Sequence, residues 1–349
     1  MIKDFTLRGV AVTAGLAVSA GMLSAETLVV SNWDGYMAPD AIDAFNKATD
    51  NEAELVLHGT NEEIMGKLIA SKGKGYDVVF VSSPFAEALN NLGLAETLDH
   101  SKIPNIKNLY PEAMELSHDT GNTFSIPYAW GTTGLCYRSD LVEGTPDSWM
   151  DLLAPSDDLK GKTTMLATDR WLLGAAMLAK GYSVNTTDDA ELAAVRDQLI
   201  ETKGTLLAYD DTTFYAKLVS GEAEMVHAWD GWCNYGIAEN ADIKYTIPKE
   251  GSDLWADTMV ILKNSEHKDA AYAFVNFILA PENHGWAAEN ILYKVPNKPA
   301  METLSEEFIA QFPNMGMAPD ELMAFEQLRD VGESQRAYSR IVSEIKASN

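Results

Sequence analysis

The chain has 349 residues, 52 acidic against 26 basic side chains for a formal charge of −26, 46% hydrophobic residues and two cysteines. The acidic excess excludes a nucleic-acid partner, which needs clustered Lys and Arg to displace phosphate counterions, and the average apolar content excludes a disordered acidic tail or a multi-span membrane protein. The length suits two compact domains or one large one, the expected partner is neutral or cationic, and whether Cys136 and Cys233 pair is open.

Lys3 and Arg8 precede an apolar run from Val10 to Leu23 and then Leu23-Ser24-Ala25, which reads as a signal peptide over residues 1–25. The run is too short to span hydrocarbon. No cysteine follows the cleavage point, so the expectation is an exported chain that is free and not lipid-anchored. Thr27–Ser31 reads as a strand, Ala38–Lys47 as a helix presenting Ala38, Ile42 and Phe45, and Glu54–Leu57 as a second strand. Thr60 and Glu63 have capping-box spacing ahead of a helix carrying Ile64, Leu68 and Ile69. Asp77–Val81 is a third, apolar strand, and this alternation predicts a parallel sheet covered by helices. Phe124–Leu135 is an extended segment bearing Pro and Gly. Beyond it Thr163–Ala167 and Glu224–Ala228 read as strands, with helices at Leu172–Ala179 and Ala190–Glu201 between them. Leu254–Leu262 is a further extended segment before an apolar helix, Ala270–Leu279, closed by Pro281. With no linker or repeat, the economical architecture is two α/β lobes joined by short extended crossovers, with a cleft between them.

Ligands of open α/β sheets collect beyond the carboxyl ends of the strands. There the sequence is aromatic and acidic: Asn32-Trp33-Asp34-Gly35-Tyr36, Ser82-Ser83-Pro84-Phe85, Thr168-Asp169-Arg170-Trp171 and Trp229-Asp230-Gly231-Trp232, with Tyr128 and Trp130 on the first crossover and Trp255 and Asp257 on the later one. Aromatic faces attract cations, and Asp34, Asp169 and Asp257 would fix ammonium groups through charge-assisted hydrogen bonds. Each has a structural alternative: Asp34 as a turn former, Asp169 as a helix cap, Asp257 in a crossover ion pair, and Trp130, Trp232 and Tyr293 as packing. Catalytic and cofactor patterns are absent: the six histidines lack HExxH spacing, there is no GxSxG elbow, and Gly73-Lys74-Gly75 lacks a P-loop frame. Cys136 would act as a nucleophile only with a base beside it.

Ser31-Asn32-Trp33-Asp34-Gly35-Tyr36, Tyr76-Asp77-Val78-Val79, Ser125-Ile126-Pro127-Tyr128-Ala129-Trp130-Gly131-Thr132 and Pro248-Lys249-Glu250-Gly251 with Trp255 and Asp257 resemble the bacterial periplasmic spermidine/putrescine-binding proteins. The likeness extends over the whole chain after the signal segment. It implies a two-lobed periplasmic binding fold, α/β with a mostly parallel sheet in each lobe, whose chain crosses near residues 132–135, 254–258 and 300. Lobe 1 would comprise residues 26–133 plus 257–300 and lobe 2 residues 134–256 plus 301–349. It also implies the membrane permease of an ABC importer as partner, a monomer, and no cofactor. The ligand contacts it implies are Trp33, Tyr36, Ser82, Phe85, Trp229, Trp255, Asp257, Tyr293 and Gln327, beside Asp34 and Asp169. Two departures bear on the ligand. Gly35 stands where those proteins have an acidic residue, and their paired carboxylates near residue 169 are reduced to Asp169. The expected ligand is putrescine or spermidine, with a quaternary amine or a zwitterion held by Arg170 as alternatives. An enzyme on the same fold with Cys136 or Cys233 as nucleophile is the competing class.

Overall fold

The computed structural model describes residues 27–348; the expected signal peptide, residues 1–25, lies outside the described residues. Ten strands make one sheet. They are β1 (Leu28–Asn32), β2 (Ala53–Leu57), β3 (Val78–Ser82), β4 (Ile126–Arg138), β5 (Thr163–Met165), β6 (Ala208–Tyr209), β7 (Met225–Trp229), β8 (Ile243–Thr246), β9 (Asp253–Ile261) and β10 (Glu326–Gln327). The order is β2-β1-β3-β9-β4-β7-β5-β6, with β10 on β9 and β8 on β4. In one half β1 runs parallel to β2 and β3; in the other β5 runs parallel to β6 and β7. β3 is buried at every position, as a strand covered on both faces must be, which is why it reads as a continuous apolar run.

The halves are joined by strands they share. β4 pairs antiparallel with β9 from Ile126 to Thr132, then leaves it at Thr133 to pair with β7 and β8. Its register slips between Pro127 and Ala129, where proline has no N–H for the ladder. β9 begins at Asp253 beside this switch, and β10 lies parallel to its first two residues. Glu326–Gln327 adds a third segment at this junction; the helix Pro319–Met323 packs on the turn Pro111–Met114, and the last helix, Gln335–Ala347, packs on Asp169–Ala179 and Asp189–Lys203.

Local signals mostly act as their chemistry requires. The side chain of Thr60 accepts from Glu63 N (3.1 Å) at the start of the helix Asn61–Ser71, but Glu63 Oε2 accepts from Gly59 N (2.8 Å), one residue before the reciprocal partner of a capping box. Ile64 and Leu68 are buried while Ile69 stays exposed. The first helix begins at Ala41 rather than Ala38. Pro281 does not close a helix; it opens Pro281–Asn290, where its missing N–H costs nothing.

Cys136 on β4 and Cys233 on the helix Asp230–Glu239 are fully buried and joined in a disulfide, and no free cysteine remains among the described residues. The cysteine nucleophile is thereby contradicted, since a disulfide sulfur carries no thiolate. Arg170 is likewise unavailable to a zwitterion. It is 1% exposed, and its guanidinium donates to Arg329 O (2.6 Å) and Asn185 Oδ1 (2.7 Å), tying the junction segment after β10 to the second half.

Candidate functional site

The ends of β1, β2 and β3 face the ends of β5, β6 and β7 across a cleft of about 260 Å³. Trp33, Asp34 and Tyr36 follow β1, Gly59 to Glu62 follow β2, and Ser82 ends β3. Opposite them stand Thr168 and Trp171 after β5, Asp211 and Thr212 after β6, and Trp229 with Trp232 at β7. Trp255 and Asp257 project from β9, the strand at the junction, and Tyr293 completes the wall. This is the carboxyl-end position at which open α/β sheets hold ligands.

Asp257 anchors the floor. One carboxylate oxygen accepts from Tyr36 OH (2.7 Å) and the other from Ser82 Oγ (2.6 Å). Burial pushes its carboxyl up to about 6, and those two hydrogen bonds oppose the shift. Ser82 is held by Asn61, whose Nδ2 donates to Ser82 Oγ (3.1 Å) while its Oδ1 accepts from Ser82 N (3.0 Å). Tyr36 is held from behind by Tyr128, whose hydroxyl donates to Tyr36 O (2.7 Å). Burial, then the Asp257 charge, keeps the Tyr36 hydroxyl well above its ordinary range, so it remains a donor. A carboxylate has about four lone-pair sites, and these two hydrogen bonds use two of them.

The rings pack edge to face: Trp33 with Tyr36 (centroids 5.3 Å), Trp255 with Tyr293 (5.2 Å, 90°) and Trp171 with Trp229 (5.4 Å, 82°). Such pairs hold one another rigid and leave their remaining faces to a ligand. Behind Tyr293 the backbone approaches closely. A Cβ on Gly231 would lie 2.2–2.5 Å from Tyr293 ring carbons, so glycine is required there. Also behind the wall, Lys294 and Asp230 form an ion pair with side chains 2% and 1% exposed.

Among the described residues four carboxylates, Asp34, Glu62, Asp211 and Asp257, line the cleft and no Lys or Arg does. Of the residues singled out in the sequence, Trp33, Asp34, Tyr36, Ser82, Trp229, Trp255, Asp257 and Tyr293 meet there. Phe85, Asp169 and Gln327 are elsewhere. Phe85 lies in the helix Ser83–Asn91 and packs with Ile64, Val81 and Leu89 in a core cluster. Asp169 accepts from Ser339 Oγ (2.7 Å) of the last helix, and Gln327 Oε1 accepts from Ser117 N (2.6 Å). Glu62, Trp171, Asp211 and Trp232 join the lining. Trp130 is core, stacked on Tyr110 (6.1 Å).

The chain belongs to the bacterial extracellular solute-binding proteins, the family that residues 40–315 match. It is 30% identical to the spermidine/putrescine-binding periplasmic protein of Salmonella typhimurium, over 95% of this chain and 96% of that one. It is 32% identical to the putrescine-binding periplasmic protein PotF of Escherichia coli, over 86% of each. Among solved structures, a candidate spermidine/putrescine ABC transporter protein from Listeria monocytogenes superimposes with a TM-score of 0.85 at 33% identity, over 93% of this chain and 99% of that one. These relatives are substrate-binding transport proteins rather than enzymes.

Proposed function

We propose that this protein is the periplasmic binding component of an ABC importer and that its cleft takes a linear polyamine, putrescine or spermidine, for delivery unchanged to the membrane permease. The observation that carries this reading is the lining itself: carboxylates and rings with no basic side chain among the described residues, and the Asp257 carboxylate held in place by two hydroxyl donors at the floor. One ammonium donates to Asp257, the methylenes lie against Trp33, Trp229 and Trp255, and each cation over a ring face gains about 0.5–2 kcal/mol. The protein acts as a monomer and performs no chemistry on its cargo.

The lobes in this reading are residues 27–132 with 254–325, and 133–253 with 326–348. Their boundaries fall where β4, β9 and β10 meet, which is where three short segments can flex together. A ligand touching both lobes stabilises the closed arrangement by its differential affinity for it. Thermal unfolding of ligand-stripped protein with putrescine, spermidine, choline and a neutral amino acid tests the assignment. At one hundred times its dissociation constant a ligand stabilises by about 2.7 kcal/mol, a midpoint rise of roughly 3–6 °C. A rise with choline or the amino acid alone refutes it.

A further inference from the structure

The helix Asp230–Glu239 follows β7, and the disulfide Cys136–Cys233 fastens it to β4 in the same half of the molecule. One side of this helix packs on residues that belong to the other half. Lys294 O accepts from Trp130 N (3.1 Å) on the part of β4 that pairs with β9, while Lys294 Nζ donates to the Asp230 carboxylate. Tyr293 lays its ring against Gly231, and Asn234 Nδ2 donates to Leu292 O (2.9 Å). Positions 230, 231 and 234 share one side of a helix, so three consecutive residues, Leu292 to Lys294, are held by one surface. Leu292 has φ 57° just past the end of the helix Pro281–Asn290, where glycine is usual. A leucine keeps that conformation only where its surroundings hold it. Of these residues Tyr293 alone lines the cleft, so the two halves meet here without a ligand.

We infer that Asp230 and Lys294 are positioning residues for binding: their ion pair is a pivot between the lobes that persists when the cleft is open and keeps Tyr293 in its ligand-ready place. The inference rests on the two-lobed carrier reading and deepens it. The pair stands at the crossover itself. Asp230 Oδ2 also accepts from Thr132 N (3.4 Å), the last residue of β4 paired with β9, and a Cβ on Gly131 would lie 2.5 Å from Asp230 Oδ1 and from a Trp255 ring carbon. Rotation about a hinge displaces such a point least, so the bond need not break as the lobes part. Without it the segment Leu292–Lys294 is free to relax, and each binding event has to order it again, which lowers affinity. Asp230 and Lys294 are buried and neither lines the cleft, so that loss falls alike on every ligand the cleft takes. The pair sets how tightly the protein binds and leaves the choice of ligand to the lining.

The test uses D230N/K294M, which removes both charges together with the bond between them. Its denaturation midpoint should stay near that of wild type, because no charge is left buried without its partner. A purely structural pair then predicts wild-type binding. A pivot predicts that titration calorimetry shows putrescine and spermidine each weakened by roughly tenfold or more, with the ratio of their affinities unchanged to within about threefold. It also predicts faster hydrogen exchange over residues 290–296 of the ligand-free variant. A stable double variant that binds both amines like wild type overturns the inference, and so does a loss confined to one amine, which would make the pair a specificity contact. If the double variant does not fold, N234A decides, since it spares both charges and removes only the bond to Leu292 O: unchanged affinities and unchanged exchange there overturn the inference. Wild-type protein that binds neither amine refutes the polyamine reading alone; the pivot is then judged by exchange, and unchanged protection of residues 290–296 in D230N/K294M overturns it.

Discussion

Replacing Asp257 by Asn separates the site's use from its cost to the fold. Asn keeps the shape and removes the charge, so an ammonium loses its counter-charge and meets an amide that also competes for Tyr36 and Ser82. Removing one partner of a desolvated charge pair costs about 2–5 kcal/mol of binding, and the middle of that range is a loss of roughly 300-fold in affinity. The folded protein without ligand should respond in the opposite direction. Its carboxyl is raised from the usual 3.8 to about 6, so at neutral pH the buried charge costs the fold about 2–3 kcal/mol. Asn removes that cost, offset in part by a poorer hydrogen bond to one of the two hydroxyls. The ligand-free D257N protein should therefore unfold at the same temperature as wild type or higher, while calorimetry with putrescine shows the affinity loss. If D257N binds within threefold of wild type, or unfolds more than about 5 °C earlier without ligand, the electrostatic account of this residue is wrong.

Asp230→Ala should act on stability, because it leaves Lys294 charged and buried; about 3–5 kcal/mol is expected to be lost, read as a lower denaturation midpoint, and the double variant with Lys294→Met should recover most of it. Gly231→Ala drives a methyl into the Tyr293 ring; the ring must swing into the cleft, and calorimetry should show affinity falling by roughly tenfold or more while far-ultraviolet dichroism stays native. Affinity for putrescine should fall by about tenfold between pH 7.5 and pH 5 as Asp257 protonates near 6, with the amine charged throughout; the same titration of D257N should lose that step. The stability of the ligand-free protein should carry the opposite sign for this group. Its folded carboxyl lies above the unfolded value, so its contribution is fullest below about 4 and is lost as pH rises through about 6.

How much of this was legible in the sequence follows from the range of the interactions involved. Trp33, Tyr36, Ser82 and Trp229 could be placed because strand periodicity locates a strand end to within a residue or two, and the residues there face the cleft in this architecture; Asp257, mid-strand on β9, was placed instead by its position on an extended crossover. Phe85 was misplaced by the same logic, because Ser83–Asn91 is a helix whose turn directs its third residue into the core. Asp169 follows β5 as expected, but it faces Ser339, 170 positions along the chain, and no local pattern shows where the last helix returns. Asp211 was missed because β6 is two residues long and has no periodicity to read. In the Tyr209-Asp210-Asp211-Thr212 run, turn chemistry alone accounts for the acidic residues, so nothing local sets Asp211 apart.

The placement of Asp257 on β9 has a consequence for how binding and closure are linked. β9 pairs with β3 through Ser82–Asp257 and with β4 through Ala129–Asp257, while its first residues, Asp253 and Leu254, lie where β4 changes partners and β10 attaches. In the proposed function the first ammonium is therefore held by a strand that belongs to the junction itself, and it constrains neither wall to approach the other. In that reading the walls are joined by what spans them, methylenes against Trp33 on one side and Trp229 on the other. Chain length in the ligand then sets closure, while the Asp257 contact sets entry. A short monoamine and a long triamine can share the same first contact and still differ in how far they draw the lobes together.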